Sequence, residues 1–197
     1  MTILGQLADH ARERVTQAKA EVPFEEMRNR ALSLPKGDFS FETALKKPGI
    51  SFICECKKAS PSKGLIAPDF PYLRIAKEYE AAGADCISVL TEPKWFLGSD
   101  AYLREIAEAV KIPCLRKDFV VDPYMIYEAK VLGASAVLLI CSILEEKQLE
   151  TYMEICGELG LSTLVESLYS LPDLRRPGSG NHRRCRTCRC RERGRPD

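Results

Sequence analysis

Between residues 50 and 166 the chain repeats one pattern: a short apolar run, a polar loop, a stretch with apolar residues three and four apart, then a glycine. The apolar runs SFICEC (51–56), DCISVL (85–90), PCLRKDF (113–119), SAVLLIC (135–141) and STLVE (162–166) predict five strands. Their near-continuous apolar character is that of parallel strands buried on both faces. Between them, Leu73, Ile75, Ala76, Tyr79 and Ala82, and then Leu103, Ile106, Ala107 and Val110, fall on helical stripes. Gly83, Gly133 and Gly160 follow helices, where a left-handed C-terminal cap is easiest without a side chain. Strands alternating with helices predict an α/β fold with a parallel sheet.

Upstream, Ile3, Leu4, Leu7, Ala8 and Ala11 outline one helix, and residues 24–34 and 41–45 suggest two shorter ones. The expected organisation is a helical extension over 1–48, a βα-repeat region over 49–166 and a segment 167–197 without either period, which predicts disorder. Charge changes at the same place. Residues 167–197 hold nine arginines against Asp173, Glu192 and Asp197, a net +6, whereas residues 1–166 sum to −5. The abrupt Arg/Cys richness reads as the product of a reading-frame slip just after the codon for Glu166.

An acidic main body, no aromatic residue among the tail arginines and no apolar run of about eighteen residues argue against nucleic-acid and membrane partners. A cytoplasmic protein is expected. Cys54, Cys56, Cys86, Cys114, Cys141 and Cys156 lie in or beside apolar runs and read as buried free thiols. Cys185, Cys188 and Cys190 beside His182 resemble half a zinc site, but no second ligand pair stands at finger spacing, so no metal is expected.

Ligands of parallel βα folds gather at the C-terminal ends of strands, and three of those ends are charged. The first carries Glu55 and Lys57, which strand alternation places on one face; the third carries Lys117; the fifth carries Glu166. Ammonium and carboxylate groups around one mouth suit proton transfer on an anionic substrate, the alternative being a solvated rim. Arg116, out of phase with Lys117, should face the helices, and Asp118 should be structural, capping the next helix or pairing with a lysine.

The segment Glu55-Cys56-Lys57-Lys58-Ala59-Ser60-Pro61-Ser62 resembles the E-x-K-x-x-S-P-S motif of indole-3-glycerol phosphate synthases. Leu90 to Ser99 (LTEPKWFLGS) and Leu115 to Val120 (LRKDFV) resemble two further motifs of that family in the same order, and Leu164-Val165-Glu166 a fourth. The resemblance implies a (β/α)8 TIM barrel with an N-terminal helical extension, truncated here after about five strands. It implies a carboxy-lyase of tryptophan biosynthesis acting on a small phosphorylated substrate, 1-(2-carboxyphenylamino)-1-deoxyribulose 5-phosphate, without a cofactor. It implies Lys117 as the general acid, Glu166 as stabiliser of the developing cation or proton acceptor, and Lys57 with Glu55 as the dehydrating pair. Ser60, Phe96 and Phe119 would line the substrate site. Absent later strands, the phosphate cradle is missing and two sheet edges are open to association, so the competing expectation is an inactive fragment or interaction protein of the same family.

Overall fold

The structure, a computed structural model, describes residues 2–167. Three helices come first: α1 (Ile3–Glu21), α2 (Phe24–Ser33) and α3 (Ser40–Leu45). Then follow β1 (Ile53–Cys56), β2 (Ala59–Ser60), β3 (Gly64–Leu65), α4 (Tyr72–Ala81), β4 (Cys86–Leu90), α5 (Asp100–Ala109), β5 (Cys114–Lys117), α6 (Pro123–Val131), β6 (Ala136–Ile140), α7 (Glu146–Leu159) and β7 (Ser162–Glu166). The five long strands form one parallel sheet in the order β1-β4-β5-β6-β7, the open form of consecutive βα winding.

The helices begin and stop where the sequence provides caps. Ser99 and Asp122 accept hydrogen bonds from Ala101 and Tyr124 N–H, Pro123 opens α6, and Glu145 with Gln148 makes a reciprocal capping box on α7. Gly83, Gly133 and Gly160 all have positive φ at helix ends, as the sequence pattern requires. Gly160 has a second reason to lack a side chain: its backbone packs against Gly37, and a Cβ on either would enter the other's carbonyl. Gly37 N–H and Phe39 N–H donate to Leu159 and Gly160 carbonyls, tying the α2–α3 connection to the end of α7.

Strand alternation divides the core. Outward residues Cys56, Ile87, Val89, Cys114, Val137 and Leu139 pack under the helices, together with Ala8, Ala11 and Val15 of α1. Inward residues Cys86, Leu115 and Ala136 pack around Phe41 of α3, which closes the N-terminal end of the concave face. Burial pushes the thiols of Cys56, Cys86 and Cys114, which lie on both sides of the sheet, up to about 12.

Several expectations need correction. The outer strands are not buried on both faces: Phe52 is 58% and Ile53 41% exposed, and Glu166 is exposed, because each of these strands has a neighbour on one side only among the described residues. The third strand stops at Lys117, not Phe119, since Asp118 leaves the ladder with its side chain anchored elsewhere. Ala82 is an exposed C-cap rather than part of the buried stripe of α4. Of the six cysteines, Cys54 and Cys141 are half-buried and the other four buried, all as free thiols. The expected disorder of the tail and the set His182, Cys185, Cys188 and Cys190 lie outside the described residues.

Candidate active site

The pleat of β1 turns Glu55 and Lys57 onto the concave face, where Lys57 Nζ donates to Glu55 Oε1 at 2.6 Å. Both side chains keep about a third of their surface exposed, at 31% and 34%. Ser88, opposite Glu55 on β4, donates to the other carboxylate oxygen at 3.4 Å, and Tyr79 OH donates to the Glu55 carbonyl at 3.4 Å. Lys117 ends β5 in register with Leu90, is half-buried, and its amine has no hydrogen-bond or ion-pair partner among the described residues. Glu166 ends β7 beside Ile140 and is likewise unpartnered among the described residues. At about 4.8 Å per strand, β1 and β7 each stand about 10 Å from β5, so Lys117 is central to the row of ends.

Two loops build the walls. The loop after β1 contains a small hairpin, Ala59 and Ser60 of β2 pairing with Leu65 and Gly64 of β3, and Lys63 N–H donates to Ser60 Oγ at 3.3 Å. The loop after β4 is organised by Glu92, whose fully buried carboxylate accepts from the N–H groups of Lys94, Trp95 and Phe96 at 2.8–3.0 Å. His10 of α1 brings Nδ1 within 3.2 Å of the same carboxylate and meets the Trp95 ring edge-on. Leu97 is held at φ 51 and Gly98 folds back so tightly that a Cβ would strike the Leu90 carbonyl, which explains the glycine. The loop projects Phe96, whose carbonyl accepts from Ala59 N–H at 3.1 Å and whose ring lies 6.2 Å from that of Phe119.

Lys57, Ser60 and Phe96 meet around one cavity of about 410 Å³, which Ile3 and Leu7 of α1 also line. Lys117 at the end of β5, Phe119 two residues beyond it and Glu166 at the end of β7 are not among the residues that line it, and Phe119 is joined to it through its ring contact with Phe96. Sequence reasoning missed four contributing residues. Ser88 is an inward position of the second apolar run and could have been found by alternation. Glu92 stands inside a quoted motif but its role depends on loop geometry. Ile3 and Leu7 reach the site only because α1 folds back over it.

On the other face of β5, Arg116 is 1% exposed and saturated: it donates to Asp100 at 2.8 Å, Glu128 at 2.7 Å, the Met125 carbonyl at 2.9 Å and Thr91 at 3.3 Å. Burial works against its charge, but Asp100, Glu128 and Asp118 outweigh that and hold the guanidinium protonated well above its ordinary range. Asp118, fully buried, pairs with Arg14 of α1 rather than with a lysine and does not cap α6, a place taken by Asp122. Burial raises its carboxyl, and the facing Arg14 and Arg116 more than reverse this, so its pKa lies below the usual carboxylate range.

A sequence profile described as Indole-3-glycerol phosphate synthase matches residues 4–170. Indole-3-glycerol phosphate synthase of Ruminiclostridium cellulolyticum is 54% identical over 166 residues, covering 84% of this chain and 64% of that protein. Proteins of the same name from Lachnoclostridium phytofermentans and Endomicrobium trichonymphae are 49% and 54% identical, with 84% of this chain covered in both and 65% and 64% of theirs. The chain thus spans slightly less than two thirds of the length of these curated relatives. With the βα order, the N-terminal helices and the charged strand ends in place, the match over most of the chain settles its kinship: it belongs to the indole-3-glycerol phosphate synthase family.

Proposed function

We propose that this chain is an indole-3-glycerol phosphate synthase, a carboxy-lyase that closes the indole ring of 1-(2-carboxyphenylamino)-1-deoxyribulose 5-phosphate without a cofactor. The observation that carries the reading is the inward amine of Lys117, unpartnered among the described residues, standing between the Glu55–Lys57 pair and Glu166 on the concave face. An ammonium with no carboxylate to neutralise it is free to meet an oxygen that gains negative charge.

The ring carbon that bears the carboxylate attacks the ketone carbon, and Lys117 delivers its proton to the ketone oxygen as the carbon–carbon bond forms. Glu166 faces the positive charge that develops on the anilino nitrogen. Carbon dioxide then leaves with its bonding electrons returned to the ring, which restores aromaticity. The new hydroxyl departs as water, protonated by Lys57, while Glu55 takes the proton that leaves carbon. Ser88 keeps Glu55 turned toward this exchange. Ser60 contacts the substrate's polar groups, and Phe96 and Phe119 pack on its aromatic ring.

Among the described residues no helix is long and apolar enough to cross a membrane, in keeping with a cytoplasmic enzyme. Phe52, just before the outer strand β1, and Ile53 at its start are exposed and favour association through that edge. The test is the appearance of indole fluorescence when the folded full chain meets the substrate. Turnover that vanishes in Lys117→Met supports the reading, and a folded wild type with no turnover sinks it.

A further inference from the structure

Arg14 lies on α1 and Asp118 follows β5, 104 residues later, yet they form a two-pronged ion pair: Nη2 donates to Oδ1 at 2.6 Å and Nη1 to Oδ2 at 3.1 Å. The same carboxylate accepts from Thr91 Oγ1 at 2.6 Å and from Phe119 N–H at 2.8 Å. Thr91 in turn gives its N–H to the Lys117 carbonyl at 3.2 Å. Lys117 therefore sits in a backbone bracketed on both sides, its carbonyl held by Thr91 and the next residue's side chain held by α1. Its own amine has no hydrogen bond or ion pair among the described residues to fix it. Orientation of that amine must come from the backbone that carries it.

We infer that Arg14, acting through Asp118, is a positioning residue for Lys117, so that a helix outside the sheet sets the aim of the group on its inner face. This rests on the reading of Lys117 as general acid. A bidentate guanidinium–carboxylate pair fixes direction as well as distance, which a single lysine contact does not. The pair also steadies Phe119 through its N–H, so the acid and one apolar wall share an anchor. Small displacements of a catalytic group are costly when the reacting atoms must meet in one geometry.

The test uses the full chain as wild type, Arg14→Met and Arg14→Lys, with two readouts. In turnover, Arg14→Met is expected to lower kcat about tenfold with KM changed less than about twofold, and Arg14→Lys to recover part of the loss. The second readout is sub-stoichiometric acetylation of lysines followed by peptide mass measurement, with exposed Lys36 as internal reference. Labelling of Lys117 should rise about threefold in Arg14→Met while Lys57 stays at its wild-type rate, a local loosening as expected for one released strand end. Unchanged labelling of Lys117, an equal rise at Lys57, or a kcat equal to wild type would overturn the inference. If Arg14→Met does not fold, Arg14→Lys carries both readouts, since it keeps the charge and loses one of the two bonds. If wild type shows no turnover but Lys117 labelling responds as described, the proposed activity fails and the positioning role stands.

Discussion

Three consecutive residues at the end of β5 and just beyond it place three charges in two environments. Arg116 and Asp118 point outward beneath the helices, are almost wholly buried, and are met on every side by opposite charge or hydrogen-bond partners. Lys117 between them points inward, is half-buried and unpartnered among the described residues. The residue types do not separate a structural charge from a chemical one; the pleat does. Arg116 and Asp118, built into the core, have their demand met by the fold, whereas that of Lys117 is left open among the described residues.

The strongest way to break this comparison is to remove the inward charge. Lys117→Met should lower kcat by about a thousandfold, within the range of lost acid–base catalysis, while the thermal midpoint stays within about 2 °C of wild type. A midpoint fall of ten degrees would place Lys117 with the structural charges. The reciprocal change, Arg116→Met, should cost about 3–5 kcal/mol of stability, because Glu128 and the fully buried Asp118 lose the guanidinium that faces them. Urea denaturation measures this, and a loss below about 1 kcal/mol would mean that water reaches the network.

Alkaline titration sharpens the comparison within the inner face itself. Cys86 points inward at the closed end yet is held near 12, as are outward Cys56 and Cys114. These thiols stay protonated in the fold and ionise in the unfolded chain once pH passes about 8.5. The unfolded state then binds fewer protons, so stability is full below that pH and falls as pH rises toward 12, by up to about 1.4 kcal/mol per pH unit for each thiol. Cys86→Ala should flatten the slope of stability against pH; an unchanged slope would show that the base of the concave face is wet. The smallest effect is expected at Ser88, where Ala should lower kcat about threefold by freeing one oxygen of Glu55. A change confined to KM would assign Ser88 to binding.

The strands and most helices were legible because each carries its own signal: an apolar run, a three-to-four spacing, a capping glycine. The inward placement of Glu55, Lys57 and Lys117, and the outward placement of Arg116, followed from alternation alone. What alternation cannot give is a partner. Asp118 was expected to find a helix N-terminus or a lysine, but its mate Arg14 sits on a helix whose polar positions look alike in sequence. Glu92 was hidden for a different reason: its three partners are backbone N–H groups, which every sequence has and only a particular loop shape brings together. The two-residue ladder of β2 and β3 is too short to leave a period.

The span between Arg14 and Asp118 also imposes an order on events during synthesis. When α1 leaves the ribosome its anchor Asp118 does not yet exist, and adding the roughly hundred residues between them at about 5–20 residues per second takes roughly 5–20 s. Through that interval the stripe of Leu7, Ala8, Ala11 and Val15, buried in the finished protein, has no sheet to cover it. α1 is therefore made well before the residues it docks on, and through that interval its apolar stripe is open to chaperone capture.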